Sequence, residues 1–179
     1  GPAGAEISYH DVLRPPLVTE SKDTNRALLV LDQVTGAEPI NITWVYFGAF
    51  RTYFFPPIGI QTVAGYIDRN YSGEKELSQA IIYYRLDEEK EFTRYLADYK
   101  GLICFSVTPG FFDQAVDFAK RIESRLHFSK IRFVFGGHGV TAKERELLDL
   151  FPGAMVVANE GEEAMLGIVS GEDPSRIPN

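Results

Sequence analysis

From residue 41 onward, short runs rich in β-branched and aromatic residues alternate with stretches whose apolar residues recur at helical spacing. This alternation limits the fold more than any other feature of the chain. The strand-like runs are residues 42–50 (ITWVYFGAF), 80–86 (AIIYYRL), 102–107 (LICFSV), 131–135 (IRFVF) and 154–158 (AMVVA). Between them, Pro57 stands where a helix can begin, and Ile60, Val63, Ala64, Ile67 and Tyr71 make one apolar face. Residues 88–98 have an acidic start and an inward set of Phe92, Tyr95 and Leu96. Phe112, Ala115, Val116, Ala119, Ile122 and Leu126 form a further stripe. Thr141, with Glu144 three residues on, predicts a capping box for a helix reaching about Phe151, where Pro152-Gly153 stops it. A last helix is expected over residues 162–169, closed by Gly171. Strands that alternate with helices and are apolar throughout belong in a parallel sheet covered on both faces. The expected fold is therefore α/β, a flavodoxin-like (Rossmann-type) doubly wound five-stranded parallel sheet spanning residues 41–171. Residues 1–40 show little periodicity beyond the run Ala27 to Leu31 and read as an N-terminal extension, and residues 172–179 read as a linker.

Composition closes off several function classes. The chain carries 18 basic and 25 acidic residues, a net charge of −7, and no basic stripe for a phosphate backbone, which argues against nucleic acid as a partner. The acids gather in residues 143–179, which hold eight against three bases. A single cysteine, Cys104, forms no internal disulfide and supplies no multi-thiolate metal site. No run reaches the length of a membrane span, and a cytoplasmic location is the simplest expectation.

Right-handed crossovers place every loop that follows a strand at one edge of such a sheet, where ligands of this class bind. The loops expected there are 51–60, 106–110 (SVTPG), 136–139 (GGHG) and 159–163 (NEGEE). Glycines allow close approach of a ligand, hydroxyls hydrogen-bond it, and helix N-termini favour its anionic groups. The first loop lacks the acids of a response regulator and the hydroxyl-rich phosphate loop of a flavodoxin, and the chain has no P-loop lysine motif. Gly137-x-Gly139-x-x-Ala142 loosely fits a dinucleotide fingerprint, with Glu160 about twenty residues on. It follows the fourth strand, however, which leaves one βα unit where a dinucleotide needs two.

Ser106-x-Thr108, then 27 residues, then Gly136-Gly137 resembles the spacing of cobalamin-binding domains. Pro57-Ile58-Gly59-Ile60 before a helix, Phe135-Gly136-Gly137-His138-Gly139, and Asn159-Glu160-Gly161-Glu162 look like the variety that precedes the barrel of radical S-adenosylmethionine enzymes. The resemblance implies a module that binds cobalamin and works with such a barrel, in cis or in trans, in methyl transfer or related radical chemistry. Ser106 and Thr108 would hydrogen-bond the nucleotide tail, with Pro109 and Gly110 beside them. Gly136 and Gly137 would admit the tail without a Cβ clash, and Pro57, Ile58, Gly59, Ile60 and Gln61 would face the lower side of the corrin. His138, Gly139, Asn159, Glu160 and Gly161 complete the expected cofactor loops.

Two departures qualify what the resemblance implies. Mutase-type domains carry Asp-x-His-x-x-Gly after strand 1, but no His occurs here between residues 11 and 126. Bound cobalamin is thus expected base-off with no His ligand, with Gln61 or Ile60 beneath cobalt. The Cys-x-x-x-Cys-x-x-Cys motif is absent too, so the iron–sulfur cluster and S-adenosylmethionine would belong to the barrel, and no catalytic residue is expected in this chain. Plainer readings stand beside these: His138 as a solvated loop residue, Cys104 as inert core, and the glutamates at 160, 162 and 163 as ordinary residues of a helix start. Tyr53-Phe54-Phe55 shields either a corrin or a barrel interface, or packs locally, and Trp44 and Tyr46 read as strand core. Two alternatives to the whole reading remain: a degenerate domain acting as a scaffold, and a nucleotide-binding domain using the turn at 136–142.

Overall fold

A computed structural model describes residues 38–48, 57–84, 89–125, 131–173 and 177. The extension before residue 38, the Tyr53-Phe54-Phe55 cluster, Arg85-Leu86, Leu126-His127 and most of the linker lie outside the described residues. The strands are β1 (Ile40–Phe47), β2 (Leu77–Tyr83), β3 (Gly101–Val107), β4 (Ile131–Gly136) and β5 (Met155–Val156). The helices are α1 (Ile58–Asn70), α2 (Glu89–Tyr95), α3 (Phe112–Glu123), α4 (Glu144–Leu150) and α5 (Glu162–Val169). All strand pairs are parallel, in the order β2-β1-β3-β4-β5. This is the doubly wound α/β sheet expected from the alternation, with the flavodoxin-like strand order.

Each face of the sheet has its own core. On one, Val45, Phe47, Phe105, Phe133 and Phe135 pack against Phe92 and Leu96 of the α2 region, Phe118 and Ile122 of α3, and Leu147 of α4. On the other, Trp44, Cys104 and Val134 pack against Ile60, Ala64 and Ile67 of α1 and Ala164, Met165 and Val169 of α5. Three helices thus cover the first face and two the second.

Some local expectations are corrected. Strand β2 begins at Leu77, three residues early, because Ser78 and Gln79 join the ladder opposite Asn41 and Ile42. Helix α2 ends at Tyr95, which is exposed rather than inward, while Leu96 beyond the helix is buried. Thr141 does not cap α4. A 3₁₀ turn over His138–Val140 intervenes, Lys143 is the N-cap, and the Glu144 carboxylate accepts the N–H of Ala142, which has a left-handed φ of 62°. Strand β5 shrinks to Met155–Val156.

Candidate functional site

The strand register builds the site. Residues two apart on a strand share a face, so Trp44, Cys104, Val134 and Met155 make one row across β1, β3, β4 and β5. The next row toward the carboxyl ends is Tyr46, Ser106 and Gly136. In that upper row two neighbouring positions are small, which leaves a notch in the sheet surface above Cys104 and Val134. Helix α1 bounds it with Ile60 and Val63, and α5 with Met165. The resulting groove has a volume of about 720 Å³.

Of the residues expected at the site, Gly59, Ile60, Ser106, Thr108, Pro109 and Gly136 line this groove, as do Gly137, His138, Asn159, Glu160 and Gly161. Pro57, Ile58, Gln61, Gly110 and Gly139 do not. Ile58 is nonetheless the most exposed large apolar side chain among the described residues, 68% open at the strand-end edge. The lining also includes Trp44, Thr62, Cys104, Val134, Val157 and Met165, which the sequence reading left as core or passed over. The signal available for two of them was period-two alternation: Cys104 precedes Ser106 by two residues, and Val134 precedes Gly136 by two.

The glycines of the site divide by what a Cβ would meet. At Gly137, with φ of +93°, a Cβ would sit 2.6 Å from the Val107 carbonyl oxygen, and at Gly139 2.4 Å from that of Thr108. Both are required by the packing of the 3₁₀ turn on the end of β3. At Gly136 a Cβ would meet Val157 at 3.6 Å, an ordinary contact, and at Gly59 it would meet nothing within 4 Å. Gly136 and Gly59 are therefore the glycines whose bareness keeps space open for something else. The expected helix start after Gly137-x-Gly139 is absent, since α4 begins only at Glu144.

Hydroxyls divide likewise. Thr108 donates its hydroxyl to the Phe47 carbonyl at 2.8 Å, tying the ends of β3 and β1 together and leaving only acceptor capacity. The Ser106 hydroxyl makes no hydrogen bond to another described residue. Helix α5 starts with Glu162 and Glu163, and Glu163 accepts the Tyr66 hydroxyl of α1, a contact that raises the tyrosine above its ordinary range. Helix α1 has no acid in its first turn, so its N-terminus is the more electropositive of the two. Deep in the groove, burial pushes the Cys104 thiol far above its ordinary value, so it stays protonated. Among the described residues there is no metal-binding group of His, Cys, Asp and Glu, and no helix is long and apolar enough to cross a membrane.

No family model matches the chain, and no curated protein does. A solved structure does: the cobalamin-dependent S-adenosylmethionine radical enzyme OxsB with aqua-cobalamin and S-adenosylmethionine bound. It superposes with a TM-score of 0.59 at 16% identity, over 76% of this chain and 19% of that enzyme. The chain thus spans about a fifth of that enzyme's length. At this identity the likeness is one of fold: the doubly wound domain described above is a fold found within a cobalamin-dependent radical enzyme.

Proposed function

We propose that residues 41–171 form a cobalamin-binding module that serves a radical S-adenosylmethionine barrel. The observation that carries this reading is the notch over β3 and β4, where Ser106 and Gly136 open an apolar groove between α1 and α5 at the strand-end edge. The fit with the cofactor is chemical. An aromatic base suits the apolar floor of Cys104 and Val134, Ser106 offers a hydroxyl that no other described residue engages, and the acid-free N-terminus of α1 favours an anionic phosphodiester. Ile58, Gln61, Pro109, Gly110 and His138, all exposed at this edge, form the surface over which a corrin would lie. When bound, cobalamin supplies a cobalt centre able to carry a methyl group or assist radical chemistry. The chain's own work is to hold the tail, orient the ring and exclude water and a lower ligand. With the tail drawn into the groove and no His in the β1–α1 loop, the cofactor would be held base-off and without a His ligand.

The test is an absorbance spectrum after the chain is incubated with hydroxocobalamin and desalted, run beside Gly59→Leu. A Cβ at Gly59 is free of contacts, so this variant fills the groove mouth without disturbing the fold. The expected result is a base-off spectrum retained by the parent and at least about tenfold weaker retention by the variant, with equal unfolding midpoints. A colourless parent overturns the reading and leaves an interaction scaffold. Equal retention by both proteins removes the groove from it.

A further inference from the structure

The groove has a definite end. Its lining includes the row of Trp44, Cys104 and Val134 but none of Ile42, Leu102 and Arg132, the next residues along the same sheet face. Trp44 is 5% exposed, and its indole N–H donates to Gln79 Oε1 at 2.9 Å. Both Nε2 hydrogens of Gln79 are engaged in turn, donating to the Ala64 carbonyl at 3.1 Å and to Asp68 Oδ1 at 2.7 Å. The polar atom nearest the closed end is therefore spoken for, and the ring is fixed by a chain of bonds running back to α1. What remains there is indole carbon, a buried protonated thiol, valine and Met165.

We propose that Trp44, positioned by Gln79, is an end wall that selects the lower base of the cofactor, admitting a benzimidazole-type base and discriminating against a purine. The inference rests on the reading of the groove as the site of the nucleotide tail. A dimethylbenzimidazole presents carbon and methyl groups to such an end. An adenine presents an exocyclic amine and ring nitrogens, which lose water there and find no strong partner on Trp44, Cys104, Val134 or Met165. One or two unpaired groups of this kind weaken binding about ten- to a hundredfold.

Affinities of the intact chain for three corrinoids test this: hydroxocobalamin, its adenine-tailed counterpart, and tail-less cobinamide. Trp44 is the single tryptophan of the chain and lies in the groove, so quenching of its fluorescence reports occupancy directly. The expected order is hydroxocobalamin tightest, the adenine form at least about tenfold weaker, and cobinamide weakest. Trp44→Phe, followed by corrin absorbance, shortens the wall and lets water reach the base, so the ratio between the two tailed forms falls at least about threefold. Equal affinity for the two tailed forms, or an unchanged ratio in Trp44→Phe, overturns the selection while leaving cobalamin binding intact. Cobinamide binding as tightly as the rest places the tail outside the groove and also overturns it. Failure of all three to bind removes the functional reading and this inference with it.

Discussion

Two glycines that look alike in the sequence have opposite roles. Gly137 keeps a backbone conformation that side chains rarely adopt and faces the Val107 carbonyl, whereas Gly59 faces open space near the start of a helix. A Gly137→Val substitution is expected to cost about 3 kcal/mol or more, from left-handed strain plus overlap with backbone. Gly59→Ala changes stability by less than about 0.5 kcal/mol, in the stabilising direction. Urea midpoints of the two variants measure the contrast, and equal midpoints would contradict it. The glycine loops were legible in the sequence because strand ends and turn residues announce themselves. Which glycine serves packing was not, because that depends on how near the end of β3 comes to the turn after β4. Trp44 was hidden for a similar reason: an apolar strand residue reads the same whether it faces a helix or a groove.

At the scale of the element, the strands were legible from their apolar runs, and the early start of β2 traces to a polar residue with buried partners. Gln79 lies just before the run at 80–86 expected as the strand, yet it is 5% exposed inside β2 because the Trp44 indole and Asp68 satisfy its amide. Helix α2 rests on a comparable device. Glu89, with a side chain 10% exposed, receives the Arg121 guanidinium of α3 in a two-point pair at 2.8 and 2.9 Å. The Tyr84 hydroxyl accepts from the same Arg121 at 3.0 Å, which joins the end of β2 to both helices. Arg121→Ala leaves the carboxylate with Arg125 at 3.7 Å as its remaining cation among the described residues. Because Arg121 is partly solvated, the expected loss is about 2 kcal/mol, below the range for a fully buried pair. Thermal unfolding checks it, and a loss under about 0.5 kcal/mol would make the pair a surface ornament.

For the molecule as a whole, the inner phenols and the thiol set an alkaline limit. Burial pushes Cys104 and Tyr99 far above their ordinary values of 9.0 and 10.0, and Tyr84 moves in the same direction for the same reason. The unfolded chain releases these protons at ordinary pH values and the folded chain keeps them. Their contribution is therefore fully present below about pH 9 and is withdrawn as pH rises beyond it. Urea midpoints should hold level up to about pH 8 and fall steadily above about pH 9, with the onset displaced upward in Cys104→Ala. A flat profile to about pH 11 would contradict this. The groove itself crosses β1, β3 and β4, drawing walls from Trp44 on the first strand and Met165 on α5. Parallel pairing offers no hairpin to close early, so each strand contact waits for a distant stretch of chain. On the ribosome, then, the groove lacks one of its walls until α5 has emerged, so a ligand held by that wall binds only after the sheet that forms its floor has been made.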